Sequence, residues 1–160
     1  MKIGIVADTH DGLPMVREAV GRMREAGVEA VLHCGDIVAP FTVLEMKKGG
    51  FGVWHGVLGN NDGEVLMLHR LFGELGVLAK PPYWFELGGM KVAMFHEPLP
   101  VEAMSRLPCD LVVFGHTHQA MVKEGVPLVV NPGECCGYTT GRATIAVVDT
   151  AAMRAEIVDL

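Results

Sequence analysis

Short apolar runs alternate with amphipathic stretches along almost the whole chain. Lys2 to Ala7 is nearly continuous in apolar residues, which predicts a strand buried on both faces. From Pro14 to Ala26, Val16, Ala19, Val20 and Met23 recur at helical spacing, with Pro14 suited to the first turn and Gly27 to the stop. Glu29 to Cys34 reads as a second strand, Pro40 to Lys48 as a short helix ended by Gly49 and Gly50, Phe51 to Leu58 as a third strand, and Glu64 to Leu75 as a further helix. The second half is richer in strand. Tyr83 to Leu87 and Met90 to Phe95 predict a hairpin turning at Gly88 and Gly89, and Pro100 to Leu107 predicts a helix. Asp110 to Phe114, Gln119 to Lys123, Pro127 to Val130, Ala143 to Val148 and Arg154 to Val158 read as additional strands. Those strands are too many for one small open sheet. An α/β fold of two sheets packed face to face, with helices outside both, accommodates them. No repeat, low-complexity tract or linker interrupts the pattern, so residues 1–160 are expected to form a single domain.

The polar residues fall at telling places. Five of the apolar strands end directly in a polar cluster: Asp8-Thr9-His10-Asp11, Gly35-Asp36, Gly59-Asn60-Asn61-Asp62, His96-Glu97 and Gly115-His116-Thr117-His118. Ligands of open α/β sheets bind beyond the carboxyl ends of the strands, where short loops converge. Each cluster offers a carboxylate, an imidazole or an amide oxygen, and none of the candidate ligands is a cysteine. Asp8 and His10, like His116 and His118, lie two apart, so an extended segment would point both the same way. The glycines at 35, 59 and 115 are expected to let the backbone turn sharply. Asp36 is the natural bridging carboxylate at the centre of such a set. Mixed nitrogen and oxygen donors suit Mn, Fe, Co, Ni or Zn better than Mg or Ca.

Composition narrows the class. The formal net charge of −6 argues against a tight nucleic-acid partner or an anionic membrane surface. No apolar run reaches the roughly 18 to 20 residues of a membrane helix. The run from Ile3 to Ala7 stops at Asp8, short of the roughly 7 to 15 residues of a secretory core. A soluble, cytoplasmic protein is the expectation. The four cysteines, Cys34, Cys109, Cys135 and Cys136, form no C-x-x-C pair and read as reduced, mostly buried thiols. His33 reads as a satisfied core histidine or as support behind Asp36, while His55 and His69 read as structural or exposed. Asp11 suits either orienting His10 or starting the helix, and Asp62 suits the turn into the next helix. The segment Pro81 to Phe85 fits an oligomer contact or ordinary packing.

In their order and spacing, Asp-x-His, Gly-Asp, Gly-Asn, His and Gly-His-x-His resemble the calcineurin-like metallophosphoesterase superfamily. The small prokaryotic YfcE-like phosphodiesterases are the most similar branch. The likeness extends from the first strand to Asn131-Pro132-Gly133-Glu134 and the strands after it. The resemblance implies a four-layer α/β/β/α sandwich of two mixed sheets, the metallo-dependent phosphatase fold. It implies that Asp8, His10, Asp36 and His118 hold one divalent metal ion, that Asp36, Asn60, His96 and His116 hold a second, and that Asn131-Pro132-Gly133 passes close by. Manganese and nickel are among the metals expected. Two positions depart from the family pattern. Asn61 stands where many relatives have a histidine that contacts phosphate, and Glu97 stands where many have glycine.

The implied reaction is hydrolysis of a small phosphodiester by a metal-bridging hydroxide, with Asn61 and the cations stabilising charge on phosphorus. Asn61 cannot supply a proton, so esters of acidic alcohols, aryl or nucleotide, should react best. The five motif loops contain no arginine to clamp a phosphomonoester dianion. Competing classes are a protein-interaction scaffold on the same fold, with little or no turnover, and a structural metal site.

Overall fold

The computed structural model describes residues 1–160. Eleven strands and four helices follow in the order β1 (Lys2–Val6), α1 (Leu13–Glu25), β2 (Ala30–His33), α2 (Pro40–Lys47), β3 (Val53–Val57), α3 (Val65–Phe72), β4 (Gly76–Ala79), β5 (Tyr83–Leu87), β6 (Met90–Met94), α4 (Val101–Met104), β7 (Leu111–Val113), β8 (Met121–Lys123), β9 (Leu128–Asn131), β10 (Thr144–Asp149) and β11 (Arg154–Asp159). They form a six-stranded sheet, ordered β11-β10-β1-β2-β3-β4, and a five-stranded sheet, ordered β5-β6-β7-β9-β8. Both are mixed. In the first, β1 to β4 run parallel and β10 and β11 are antiparallel additions. In the second, β6, β7 and β9 are parallel, flanked by antiparallel β5 and β8.

Alternation along the strands decides which side chain enters which layer. Ile3, Ile5 and Ala7 of the β1 segment face inwards with Leu32, Cys34 and Val57, and meet Met94, Leu111, Val113, Leu128 and Val130 of the other sheet. The opposite face of the first sheet, with Val6, Val31 and Trp54, packs under α1 to α3 through Val16, Ala19, Met23, Met46, Leu68 and Phe72. The outer face of the second sheet, with Ala93, Val112 and Val129, is covered by Met104 of α4. The result is the four-layer sandwich expected. No helix is long and apolar enough to cross a membrane.

The largest departure from the sequence pattern lies between Phe72 and Ala79. The expected helix from Glu64 to Leu75 ends at Phe72, and the chain then adds β4, an unpredicted strand, parallel to β3. Gly76 makes that pairing close: a Cβ there would lie 1.8 Å from the Trp54 carbonyl oxygen. The helix expected over Pro100 to Leu107 keeps only Val101–Met104. The Ser105 hydroxyl donates to the Val101 carbonyl, the next turns close on i−3 carbonyls, and Pro108 has no N–H to continue.

Candidate metal centre

The first three motif loops leave the carboxyl ends of the parallel neighbours β1, β2 and β3, and the other two leave β6 and β7. Sheet packing brings the two groups together. The Asp8 N–H donates to the Gly35 carbonyl, the His10 N–H to the Asp36 carbonyl, and the Gly115 N–H to the His96 carbonyl. His33 ties the first two loops: the Gly35 N–H donates to its Nδ1 at 3.2 Å, so the proton sits on Nε2, 3.1 Å from Thr9 Oγ1. Burial pushes the His33 imidazole down to about 3, which keeps it neutral.

Five of the seven candidate ligands have left-handed backbone: Asp8 (φ 51°), His10 (φ 40°), Asp36 (φ 57°), His116 (φ 66°) and His118 (φ 60°). The paired ligands therefore converge from tight turns and not from an extended segment. Such conformations cost on the order of 1 kcal/mol or more each and cluster at functional sites. Of the three turn glycines, only Gly35 has positive φ, at 97°. Gly59 and Gly115 are needed for space. A Cβ on Gly59 would lie 2.2 Å from Asp36 Oδ1, and one on Gly115 would lie 2.9 Å from Asp8 Oδ2.

All seven candidates reach one locus. Asp8, Asp36 and His96 are buried, His10 and His118 half-buried, and Asn60 and His116 exposed at the mouth. Asp8, His10 and His118 present donor atoms within 4.8 Å of one another, and so do Asp8, Asp36 and His96. Asp36 Oδ2 lies 3.5 Å from His10 Nε2 and 3.5 Å from His96 Nε2, so both Asp8 and Asp36 stand between the two groups. Asn60 Oδ1 is 2.9 Å from His96 Nε2 and 3.0 Å from His116 Nδ1.

The hydrogen-bonding partners of the rings show which nitrogens face the carboxylates. His96 Nδ1 lies 2.8 Å from the Cys34 carbonyl, to which it can only donate, and the ring turns its Nε2 toward Asn60 and Asp36. His118 Nδ1 lies 2.8 Å from Glu134 Oε2 and directs its Nε2 at Asp8 Oδ1, 3.6 Å away. His10 Nε2 is buried with no hydrogen-bond partner. Ring nitrogens thus crowd two carboxylates, an arrangement that suits protons on the imidazoles or bound cations. Burial raises the Asp8 carboxyl to about 6 against the pull of His96 and His118. Burial also raises Asp36, but hydrogen bonds from His96 and Asn61 outweigh it and hold that carboxyl well below the usual range. For His96, burial lowers the imidazole while its bonds to Asp36 and the Cys34 carbonyl reverse the sign and raise it.

Glu134 is the important residue not singled out from sequence. It is fully buried and accepts from the Thr139 N–H, the Thr140 hydroxyl and N–H, and His118. Burial opposes ionisation, yet these donors hold its carboxyl down at about 2. A carboxylate behind an imidazole fixes the ring's tautomer and strengthens its donor nitrogen. The available signal was its place directly after Asn131-Pro132-Gly133. That loop does pass beside the site, because the Asn131 amide donates to the Gly115 carbonyl and to Thr117 Oγ1.

Other candidates have structural partners. Asn61 donates its backbone N–H to Asp36 Oδ1 and its side-chain amide to Asp36 Oδ2, each at 2.8 Å, and so supports a ligand. Asp62 accepts from the Val38 and Gly59 N–H groups and staples two loops, and Glu64 stands at the N-cap position of α3 without a side-chain hydrogen bond. Asp11 accepts from the Thr42 hydroxyl, joining the first loop to α2. His55 lies 3.2 Å from the Tyr83 hydroxyl and stacks on Phe85, His69 is exposed, and the four cysteines are free and buried. Tyr83 and Phe85 are half-buried against the inter-sheet core, while Trp84 between them is exposed. Beside the centre, Asn60, His96, Glu97 and Lys80 line a cavity of about 520 Å³.

Comparison with known proteins agrees with this geometry. A phosphodiesterase of Methanocaldococcus jannaschii is 36% identical over 156 residues, covering 94% of this chain and 93% of its own. The solved structure of an archaeal phosphodiesterase superposes with a TM-score of 0.90 at 35% identity, over 100% of both chains. The Yfce phosphoesterase of E. coli, at 21% identity and a TM-score of 0.68 over 99% and 98% of the chains, shares the fold. Residues 1–153 match the calcineurin-like phosphoesterase superfamily domain. With that match along most of its length, and with the ligand motifs gathered at one locus, the chain belongs to the calcineurin-like phosphoesterase superfamily.

Proposed function

We propose that this protein is a dinuclear-metal phosphodiesterase. One group of donors is Asp8, His10, Asp36 and His118; the other is Asp36, Asn60, His96 and His116. The observation that carries the reading is the set of imidazole nitrogens turned on two buried carboxylates, with His10 Nε2 left without a hydrogen-bond partner. When bound, two divalent cations supply Lewis-acid polarisation of the phosphoryl oxygens and lower the pKa of water near them. The chain's own residues prepare the site for this. Glu134 holds the His118 ring, the Cys34 carbonyl holds the His96 ring, and the Asn61 donors keep Asp36 ionised and aimed. Mixed imidazole, amide and carboxylate donors favour Mn, Fe, Co, Ni or Zn.

No acidic side chain stands at Asn61 to protonate a leaving alkoxide. Esters whose alcohol departs as a stable anion therefore fit the site. The related phosphodiesterase supports a diester over a monoester. The fold is compatible with a scaffold role, but a scaffold has no need of a complete donor set carried on strained backbone.

Hydrolysis of bis-p-nitrophenyl phosphate tests the assignment. Turnover is expected with added Mn or Ni, and its loss with a chelator. Absence of hydrolysis with any of the named metals would contradict the reading.

A further inference from the structure

Five of the eleven large apolar side chains exposed on the molecule gather on two helices: Phe41 and Leu44 of α2, and Val65, Leu66 and Met67 of α3. Apolar residues exposed singly are ordinary, but a cluster marks a contact face. Helix geometry explains the exposure. In α3, Leu68 and Phe72 enter the core, which turns Leu66 outward and leaves it 89% exposed. In α2, Val43 and Met46 enter the core, which turns Phe41 and Leu44, three apart, outward together. The two helices lie side by side and parallel. At their N-terminal ends the Val38 N–H donates to Asp62 and the Gly63 N–H to the Val38 carbonyl, while at their C-terminal ends Lys47 pairs with Glu74 at 2.5 Å. The five side chains thus form one patch across the pair, of roughly 500 Å².

Charge is arranged about the centre of this patch. Glu64 stands just before α3 and Arg70 near its end, three residues to either side of Met67. Both are exposed and neither has an ion pair within the chain, whereas Lys47 and Lys48 are taken by Glu74 and Glu45. A second copy turned by a two-fold axis at Met67 lays α3 antiparallel on α3. Glu64 of each copy then meets Arg70 of the other, and Leu66 and Met67 meet at the axis. The same turn sets the positive N-terminal end of each helix beside the negative C-terminal end of its mate. An unrelated partner has no need of opposite charges spaced evenly about an apolar centre. An anionic bilayer would meet Glu64 and a chain of net charge −6. Two such patches with their polar rim reach the roughly 1,200 Å² at which stable interfaces begin. We infer that the α2–α3 face is an isologous contact between two copies of this chain, centred on Leu66 and Met67. The contact is independent of the phosphodiesterase reading.

Sedimentation equilibrium of the Mn-loaded protein tests it, with a dimer of micromolar affinity expected. Leu66→Glu changes a side chain that the monomer leaves in water. It should weaken association at least about a hundredfold with an unchanged circular dichroism spectrum. Glu64→Arg and Arg70→Glu should each weaken association about tenfold, because like charges then meet across the axis. The double variant restores opposite charges at both places and should return to within about threefold of the native affinity. A native chain that stays monomeric at ~100 μM overturns the inference. Flotation of that monomer with phosphatidylcholine vesicles, lost in Leu66→Glu, would give the face to lipid instead. A dimer that Leu66→Glu leaves intact uses another surface, and a double variant that associates no better than the single ones removes the two-fold pairing. Either result overturns the proposed contact.

Discussion

Around Asp8, His10 and His118 the donors are buried or half-buried, and a second buried carboxylate, Glu134, stands behind His118. Around Asn60, His96 and His116 two of three donors are exposed, the one support behind a ring is the Cys34 carbonyl at His96, and the group adjoins an open cavity. The inner group concentrates negative charge where water is scarce; the outer one offers mostly neutral donors where solvent and ligand enter. Buried charge and a carboxylate fixed behind an imidazole favour cation affinity, whereas exposed neutral donors favour exchange. On the proposed two-cation reading, one locus would divide the work, with the inner donors retaining a cation, the outer ones facing substrate, and Asp36 shared between them.

The harshest way to break this contrast is to remove the shared residue. Asp36→Ala should lower kcat/KM on bis-p-nitrophenyl phosphate by on the order of a thousand-fold, measured with saturating Mn. Near-normal turnover would remove the basis for a shared carboxylate. Glu134→Gln sharpens the contrast from the inner side. It should weaken the tighter Mn-binding step by roughly 10- to 100-fold in calorimetric titration, while Asn60→Ala should mainly affect the weaker step. Equal effects on both steps would dissolve the distinction.

The same Glu134 carboxylate has a signature in stability. Its folded value of about 2 lies below the ordinary 4.5, so its ionisation stabilises the fold above pH ~4.5, and the gain is lost as pH falls through about 2. Urea unfolding of metal-free protein should show Glu134→Gln about 3 kcal/mol less stable at neutral pH, with the gap closing toward pH 2. A gap independent of pH would mean that shape, and not charge, holds His118. The smallest effect is expected for Asn61→Ala. It removes one of two donors to Asp36 at an exposed position and should lower kcat/KM roughly fivefold. A much larger loss would place Asn61 on substrate.

The strand ends were legible in the sequence because apolar runs stop abruptly at polar residues, and a side chain there has only the loop face to occupy. That logic brought out both sheets and seven candidate residues that the fold gathers at one locus. It misjudged how they converge, since periodicity describes strands and is silent on the left-handed turns at Asp8, His10, Asp36, His116 and His118. It also carried the helix on to Leu75 and left Gly76–Ala79 unassigned. The run Leu75-Gly76-Val77-Leu78-Ala79 is apolar throughout, and only the close approach of Gly76 to Trp54 reveals a strand. Glu134 carried only its place after Asn131-Pro132-Gly133 as a signal, because its partners, His118, Thr139 and Thr140, come together only through the fold.

Anomalous X-ray scattering from crystals soaked in manganese tests the account most directly. Two peaks roughly 3.5 to 4 Å apart are predicted, one among Asp8, His10 and His118 and one among Asn60, His96 and His116, with Asp36 touching both. Peaks only elsewhere on the surface, or none at all, would contradict it.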